Sequence, residues 1–471
     1  MKPIRRFCLA SIGLLSACAS PTYRPRIAPP PVPQGWIATA ESAPGDTGGL
    51  DVVKDRWWRG FGDPALDAAV DRALANNVDL KIAASRIMQA RAELAAERSL
   101  QRPWITASSK AARDRGLNAF GEPVDQTDAR ADIGISYEVD LFGRLKAGTE
   151  AARSTALASE ASRDTVRLGL IATTVQSYLT LLALDAKRRI AADTEGTRRE
   201  ELARILRRTN AGYAGRLDLE QAKIELASAS QLVAEIDRDI EINERSLNIL
   251  EGSNPAPVER KADLYALHLA PAPTALPSEI VRKRPDIAAA ELRLAAASFR
   301  LTAARDAFLP KLQLTPTGGG IVSTLLSSPV TLFSLGGSVL TPLFEGGQLR
   351  AREDLAGAQV EEAALAYRLA VMTAFGEVEK ALSGLRLDRD DLLLARSREA
   401  AATQAFQTAQ RRYLSGYSSY IDQLDAQRGL LQAQLVTIDA TAQQFQDLVA
   451  LYQALGGGWD AKVQAVPSGR D

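Results

Sequence analysis

Apolar positions along this chain follow two different rhythms. In two long stretches they recur at alternating steps of three and four. Leu168, Ile171, Val175, Tyr178 and Leu182 form one such run, and Ile236, Ile240, Asn243, Leu247 and Leu250 a second, with one polar member. Val371, Phe375, Val378, Leu382 and Leu385 repeat the rhythm, and Leu431, Leu435, Ile438, Ala442, Phe445, Val449 and Tyr452 carry it furthest. This spacing lines one seam of a helix, as in coiled coils and in globular helical bundles. Length separates those two. No proline lies between Pro123 and Pro255 or between Pro342 and Pro467, and a helix interior excludes proline at ~3 kcal/mol. Uninterrupted helices of roughly 60 residues would reach roughly 90 Å, several times a globular helix.

Each proline-free stretch breaks once, near its middle. The first break is Asn210-Ala211-Gly212-Tyr213-Ala214-Gly215, and the second is Leu414-Ser415-Gly416-Tyr417-Ser418-Ser419. Glycine ends a helix by taking a left-handed conformation, and Ser or Asp helps start the next. Both breaks therefore predict a tight turn between antiparallel helices. The matching Gly212-Tyr213 and Gly416-Tyr417 point to an internal duplication of about 200 residues.

The second rhythm has a period of two and precedes each hairpin. Ile133, Ile135, Tyr137 and Val139 alternate with Asp132, Gly134, Ser136 and Glu138, and Phe333, Leu335, Gly337 and Val339 alternate with Ser334, Gly336 and Ser338. These are strands with one apolar and one polar face. A weaker strand precedes each, from about Trp104 and from about Leu312, with polar or Gly-rich loops between the partners. Alternating strands of this kind mark an outer-membrane barrel, yet four cannot close one, so a barrel must be shared between chains. A soluble four-stranded sheet is the alternative that periodicity alone leaves open.

The expected organisation is a leader at 1–17, a tether at 18–50 and a first repeat at 51–254. That repeat carries strands at about 104–115 and 131–140 and a hairpin at 145–251. A mid-chain linker at 255–285 leads to a second repeat at 286–459, with strands at about 311–318 and 331–341 and a hairpin at 347–455, and then a tail at 460–471. In the leader, Lys2, Arg5 and Arg6 precede a short apolar run, Phe7 to Leu15, that ends in Leu15-Ser16-Ala17-Cys18. The run is too short for a permanent membrane span. Its end resembles the lipobox of bacterial lipoproteins, which implies acylation at Cys18; the small residue Ala19 after it implies the outer membrane. An ordinary cleaved leader is the alternative. The Pro- and Gly-rich tether should bury little.

Composition then narrows the chemistry. The formal charge is zero, from 57 basic and 57 acidic residues, without the basic excess of a nucleic-acid binder. One His and two Cys offer little for a metal site or a nucleophile–base pair. His268, with Asp263 nearby, reads as passive, and Gly318 to Gly320 and Gly456 to Gly458 lack the Lys and Ser/Thr of a phosphate loop. These glycines read as loop and chain-end elements. No catalytic residue, cofactor or metal is expected.

The segment from Trp57-Trp58-Arg59-Gly60-Phe61 through Gly62-Asp63-Pro64-Ala65-Leu66 resembles the opening of the outer-membrane efflux channels, the TolC-like and OprM-like proteins. Arg284-Pro285-Asp286-Ile287, the junctions Asp140-Leu141-Phe142-Gly143-Arg144 and Pro342-Leu343-Phe344-Glu345-Gly346-Gly347, and the closing Leu455-Gly456-Gly457-Gly458-Trp459 follow in the family's order. The resemblance covers nearly the whole chain after the leader. It implies an α+β membrane protein, a homotrimer in which four strands per chain build a twelve-stranded barrel continued by a periplasmic tunnel of helical hairpins. It also implies a periplasmic adaptor and an inner-membrane pump of the resistance-nodulation-division type as partners. Type I protein secretion, or a pore-free coiled-coil scaffold, are the rival roles.

The family's closure lies where the second hairpin turns inward. The matching segment is Tyr420-Ile421-Asp422-Gln423-Leu424-Asp425-Ala426-Gln427-Arg428. By that resemblance Ile421 is the apolar constriction, and Asp425 and Arg428 form a charged ring and ion-pair latch. Read from spacing alone, Asp425 and Arg428 are an i,i+3 helix-surface pair. The tips at Gly212, Tyr213, Gly416 and Tyr417 would meet the adaptor. Arg207, Arg208, Arg411 and Arg412 beside them also suit a helix C-terminus.

Overall fold

The computed structural model describes residues 33, 35–37, 56–117, 119–260, 262–268 and 277–459. The leader, Cys18, most of the tether and the tail lie outside these residues. The element order is α1 (Pro64–Asn76), α2 (Val78–Ser99), β1 (Trp104–Leu117), β2 (Pro123–Val139), α3 (Arg144–Asn210) and α4 (Arg216–Leu250). There follow α5 (Pro277–Lys283), α6 (Pro285–Asp306), β3 (Lys311–Ser323), β4 (Val330–Leu340), α7 (Gln348–Leu414) and α8 (Tyr420–Ala454). Two short 3-10 turns, Trp57–Phe61 and Leu264–Ala266, complete it.

The duplication is exact in the helices. Each boundary of the second hairpin lies 204 positions after its counterpart: Arg144 and Gln348, Asn210 and Leu414, Arg216 and Tyr420, Leu250 and Ala454. Only the first helix of each hairpin has the expected length. It has 67 residues, about 100 Å, whereas its partner has 35. The turn therefore falls at two-thirds of each stretch rather than near the middle. Left-handed Gly252 and Gly456 stop the shorter helices, and α2 and α6, each of 22 residues, continue their lines toward the sheet.

Side chains join those helices end to end. Asn77, the N-cap of α2, donates from Nδ2 to the Leu250 carbonyl that ends α4 (2.9 Å). Arg284, at the same place before α6, donates from Nη1 to the Ala454 carbonyl that ends α8 (2.9 Å). Each bond satisfies a carbonyl that a helix end leaves open. The hairpins and these extensions form a wall four helices wide. Toward the sheet α2, α3, α6 and α7 pack side by side, through Ala158, Ala161, Ala289 and Leu292 and through Ala297, Leu301, Ala356 and Val360. Toward the tips the wall is α4, α3, α8 and α7.

The core sits midway, where the separate opening, middle and closing motifs converge. Trp57 stacks on Tyr452 at 4.9 Å, Phe61 meets Phe445 edge-on, and Trp459 Nε1 donates to Asp164 (3.0 Å). Asp63 caps α1 and accepts from the buried Tyr178 hydroxyl at 2.6 Å. Nearly all members of the four sequence seams are buried or half-buried here. A stretch of α3 is long and apolar enough to cross a bilayer, but more than half of it is inside this body. Of the tether residues described, 33 and 35–37, Trp36 is buried and the others are exposed. Its ring packs edge-on against Phe375 of α7, and the next amide, Ile37, donates to Glu379. The mid-chain linker likewise contains helix α5, begun by Pro277.

The four strands form one antiparallel sheet in the order β1-β2-β3-β4. The register puts Ile105, Ile133, Ile135, Tyr137, Val139, Leu312, Leu314, Phe333, Leu335 and Val339 on one face. The other face carries Thr106, Ser108, Asp132, Ser136, Gln313, Thr317 and Ser334, cross-linked by Ser108–Asp132, Gln313–Ser136 and Thr317–Ser334 hydrogen bonds. Along β2 the apolar face runs from Val139 to Ala129. Those ten steps at ~3.4 Å, tilted ~40°, give a band about 26 Å tall, matching the ~25 Å apolar band of membrane barrels.

The strands run past that band, which corrects the expected loops. β2 starts at Pro123, not near 131, and β3 ends at Ser323, not near 318. Polar alternation hides this extension from a search for apolar alternation. The bidentate Arg113–Asp125 pair (3.0 Å) ties β1 to β2 beyond the band. Gly318 to Gly320 also lie in β3 rather than in a loop. A Cβ on Gly319 would strike the Ala131 carbonyl and the Asp132 backbone.

Candidate functional site

The far ends of the hairpins carry the candidate residues. Each long helix ends the same way. Gly212 (φ 80°) follows α3 and Gly416 (φ 78°) follows α7. The next amides, Tyr213 and Tyr417, donate back to the Arg208 and Arg412 carbonyls at 2.8 Å. This closure uses glycine where a side chain would be strained. It leaves both tyrosine rings exposed at the extremity. Arg207, Arg208, Arg411 and Arg412 occupy the last turns, where cations favour the helix dipole. The restarts differ. Ser419 and Asp422 make a reciprocal capping box on α8, and these bonds from Ser419 hold Asp422 below the ordinary carboxylate range. Gly215 gives α4 no side-chain cap.

Just above the tips an apolar cluster of Ile205, Ala222, Tyr413, Tyr420 and Leu424 joins the two hairpins. The Tyr413 and Tyr420 rings lie 5.9 Å apart, and Arg208 both stacks over Tyr413 and donates to its hydroxyl. Burial pushes the Tyr420 phenol up to about 12.

The sequence-derived trio lies in the first turns of α8. Ile421 is 45% exposed and the Asp425 side chain 68%, on one face one turn apart. Arg428 does approach Asp425, at 3.5 Å. Its stronger partner is Glu225 of α4, to which its Nε donates at 3.1 Å and its Nη2 more closely still. Glu225 in turn pairs with Arg198 of α3 at 3.2 Å. Burial pulls Arg198 below its ordinary value while Glu225 opposes the shift. The charged link thus runs Arg198–Glu225–Arg428–Asp425 and crosses from one hairpin to the other.

Sequence reasoning missed Glu225, which lies 203 residues from Arg428. The internal repeat held the clue. At the 204-residue offset Glu225 corresponds to Gly429, so it stands at the height of Arg428 on the neighbouring hairpin. Among the described residues no group of three or more His, Cys, Asp or Glu side chains is placed to hold a metal ion. His268 is exposed, with its backbone amide bonded to the Phe61 carbonyl.

Comparisons with known proteins bear on this arrangement. The sequence pattern of the outer membrane efflux protein family matches residues 69–253 and 276–457. The chain is 35% identical to the pyoverdine export outer membrane protein OpmQ of Pseudomonas putida, over 97% of this chain and 98% of that protein. It is 31% identical to the probable outer membrane lipoprotein SilC of Salmonella typhimurium, over 98% of this chain and 100% of that protein. The crystal structure of the Campylobacter jejuni CmeC outer membrane channel superposes with a TM-score of 0.86 at 26% identity, covering 93% of this chain and 95% of that one.

Proposed function

The chain belongs to the outer membrane efflux protein family, and from that premise we propose how its tips, its anchor and its partners serve it. It is an outer-membrane channel, the exit duct of an efflux system. Three chains, each giving four strands, close a twelve-stranded barrel whose apolar face meets lipid and whose polar face lines water. The helical walls continue the duct through the periplasm.

The observation that carries the gate reading is the pair of exposed side chains one turn apart at the start of α8, Ile421 and Asp425. Repeated three times around an axis, Ile421 forms an apolar constriction that resists hydration, and Asp425 an acidic ring that favours cations. Arg428, held by Glu225, is the latch that keeps the second hairpin against the first. The exposed turns at Gly212, Tyr213, Gly416 and Tyr417 meet a periplasmic adaptor, which joins the duct to an inner-membrane pump of the resistance-nodulation-division type. Acylation at Cys18 fastens the chain to outer-membrane lipid, in keeping with the lipoprotein designation of SilC.

Cross-linking of purified protein in detergent tests the assembly. A trimer-sized product that needs detergent to stay in solution is expected. A lipid-free, water-soluble monomer would instead favour a periplasmic scaffold.

A further inference from the structure

Across the sheet, one rung from β1 to β4 reads Lys110, Arg130, Ile321 and Val330. All four stand on the polar face, in step with Ser108 and Asp132, and so face the water-filled lumen. Arg130 lies between Ala129 and Ala131, at the outer end of the apolar band. The rung therefore crosses the barrel near its outer mouth. Lys110, Arg130, Ile321 and Pro329 border one depression of the sheet there.

Like charges placed directly opposite each other destabilise a strand pair, and the structure relieves only one of these two. Arg130 pairs with Asp132 at 3.1 Å, and Asp132 also accepts from the Ser108 hydroxyl at 3.0 Å. Lys110 is exposed, and among the described residues no carboxylate pairs with it. Asp128, diagonal to it on β2, stands opposite Ala112, and Gln126 donates to that carboxylate at 3.4 Å. Closing the barrel brings no relief. The strand that meets β1 is β4 of the neighbouring chain, and no Asp or Glu lies between Asp306 and Glu345. Whatever register the two strands take, the lumen face of β4 offers Lys110 only Val, Leu, Ser and Gly.

We propose that the three Lys110 side chains of the assembled barrel form an anion-binding ring in its outer mouth, suited to organic anions with an apolar body. The ammonium groups take the anionic head. Ile321, Val330 and Leu332, partly exposed on the same face, take the apolar part. The three-fold axis sets the three charges at one height, and the low-dielectric wall of the barrel focuses their field. This rests on the chain being a channel, and not on the gate at α8.

Currents through the full chain in a planar bilayer test it, recorded in the Asp425→Ala, Arg428→Ala background so that the tips do not mask the barrel. Octanoate should reduce the current at a concentration where acetate does not, and about 1 M salt should weaken that block by screening. Lys110→Gln should shift the reversal potential in a KCl gradient toward that of potassium. It should also raise the octanoate concentration for half block by roughly fivefold, as for an exposed ion pair. Lys110→Arg should keep both properties, and Ile321→Ser should weaken the block while leaving the reversal potential unchanged. Equal effects of octanoate and acetate overturn the proposal without any lysine variant. So does a Lys110→Gln trimer whose reversal potential and octanoate block match those of its parent. Absence of all current from inserted trimer contradicts the duct itself, and the ring with it.

Discussion

Glu225 faces two cations in different surroundings. The Arg198 side chain is 3% exposed and that of Arg428 is 53% exposed. Removing Arg428 leaves Glu225 still paired with Arg198, so Arg428→Ala should cost only about 0–1 kcal/mol, as for a solvent-exposed pair. Glu225→Gln instead leaves Arg198 charged and buried without its ion-pair partner, a loss of about 3–5 kcal/mol. Thermal unfolding of the two variants should therefore separate them clearly, and equal shifts would refute the network. The Asp425–Arg428 contact is legible in the sequence because both residues lie within one short motif. Glu225 was not, because a contact across 203 residues leaves no local pattern. Spacing alone paired Arg428 with Asp425, the weaker of its two bonds.

At the scale of elements, rhythm revealed which faces pack but not where elements stop. The three-four seams correctly mark the buried sides of α3, α4, α7 and α8, and the breaks within the expected hairpin bounds already imply short return helices, yet periodicity does not explain why they stop at 35 residues against 67. That depends on which element covers the upper wall, and so on Asn77 and Arg284 reaching the helix ends. Apolar alternation marks only the band of each strand that carries an apolar face, and not its polar outer part. Gly319 shows why composition misleads here. Three glycines in a row read as a loop, whereas β3 uses Gly319 where β2 leaves no room for a Cβ. Gly319→Val should accordingly reduce the yield of heat-resistant trimer in the membrane fraction, while Gly318→Val, whose Cβ meets nothing within 4 Å, should not. Equal yields would mean that this close approach is dispensable.

At the scale of the molecule, the duplicated plan gives each chain two hairpins and half of four strands twice over, and both sheet edges, β1 and β4, remain for neighbouring chains. Open edges within lipid would leave backbone groups unpaired, so assembly and membrane insertion are coupled. The same plan places both hairpin tips together, about 100 Å helices away from the sheet. The gate proposed here would rest on a small apolar cluster and a half-exposed ion-pair link, weak enough for the binding energy of a partner to open it.

Single-channel recording in a planar bilayer, wild type beside the Asp425→Ala, Arg428→Ala double variant, is the most direct test of a duct closed at its tips. Small wild-type currents that grow in the variant, with the trimer intact, are the predicted result. Large and equal currents in both proteins would contradict the gate at α8, and no current from membrane-inserted trimer would contradict the channel itself.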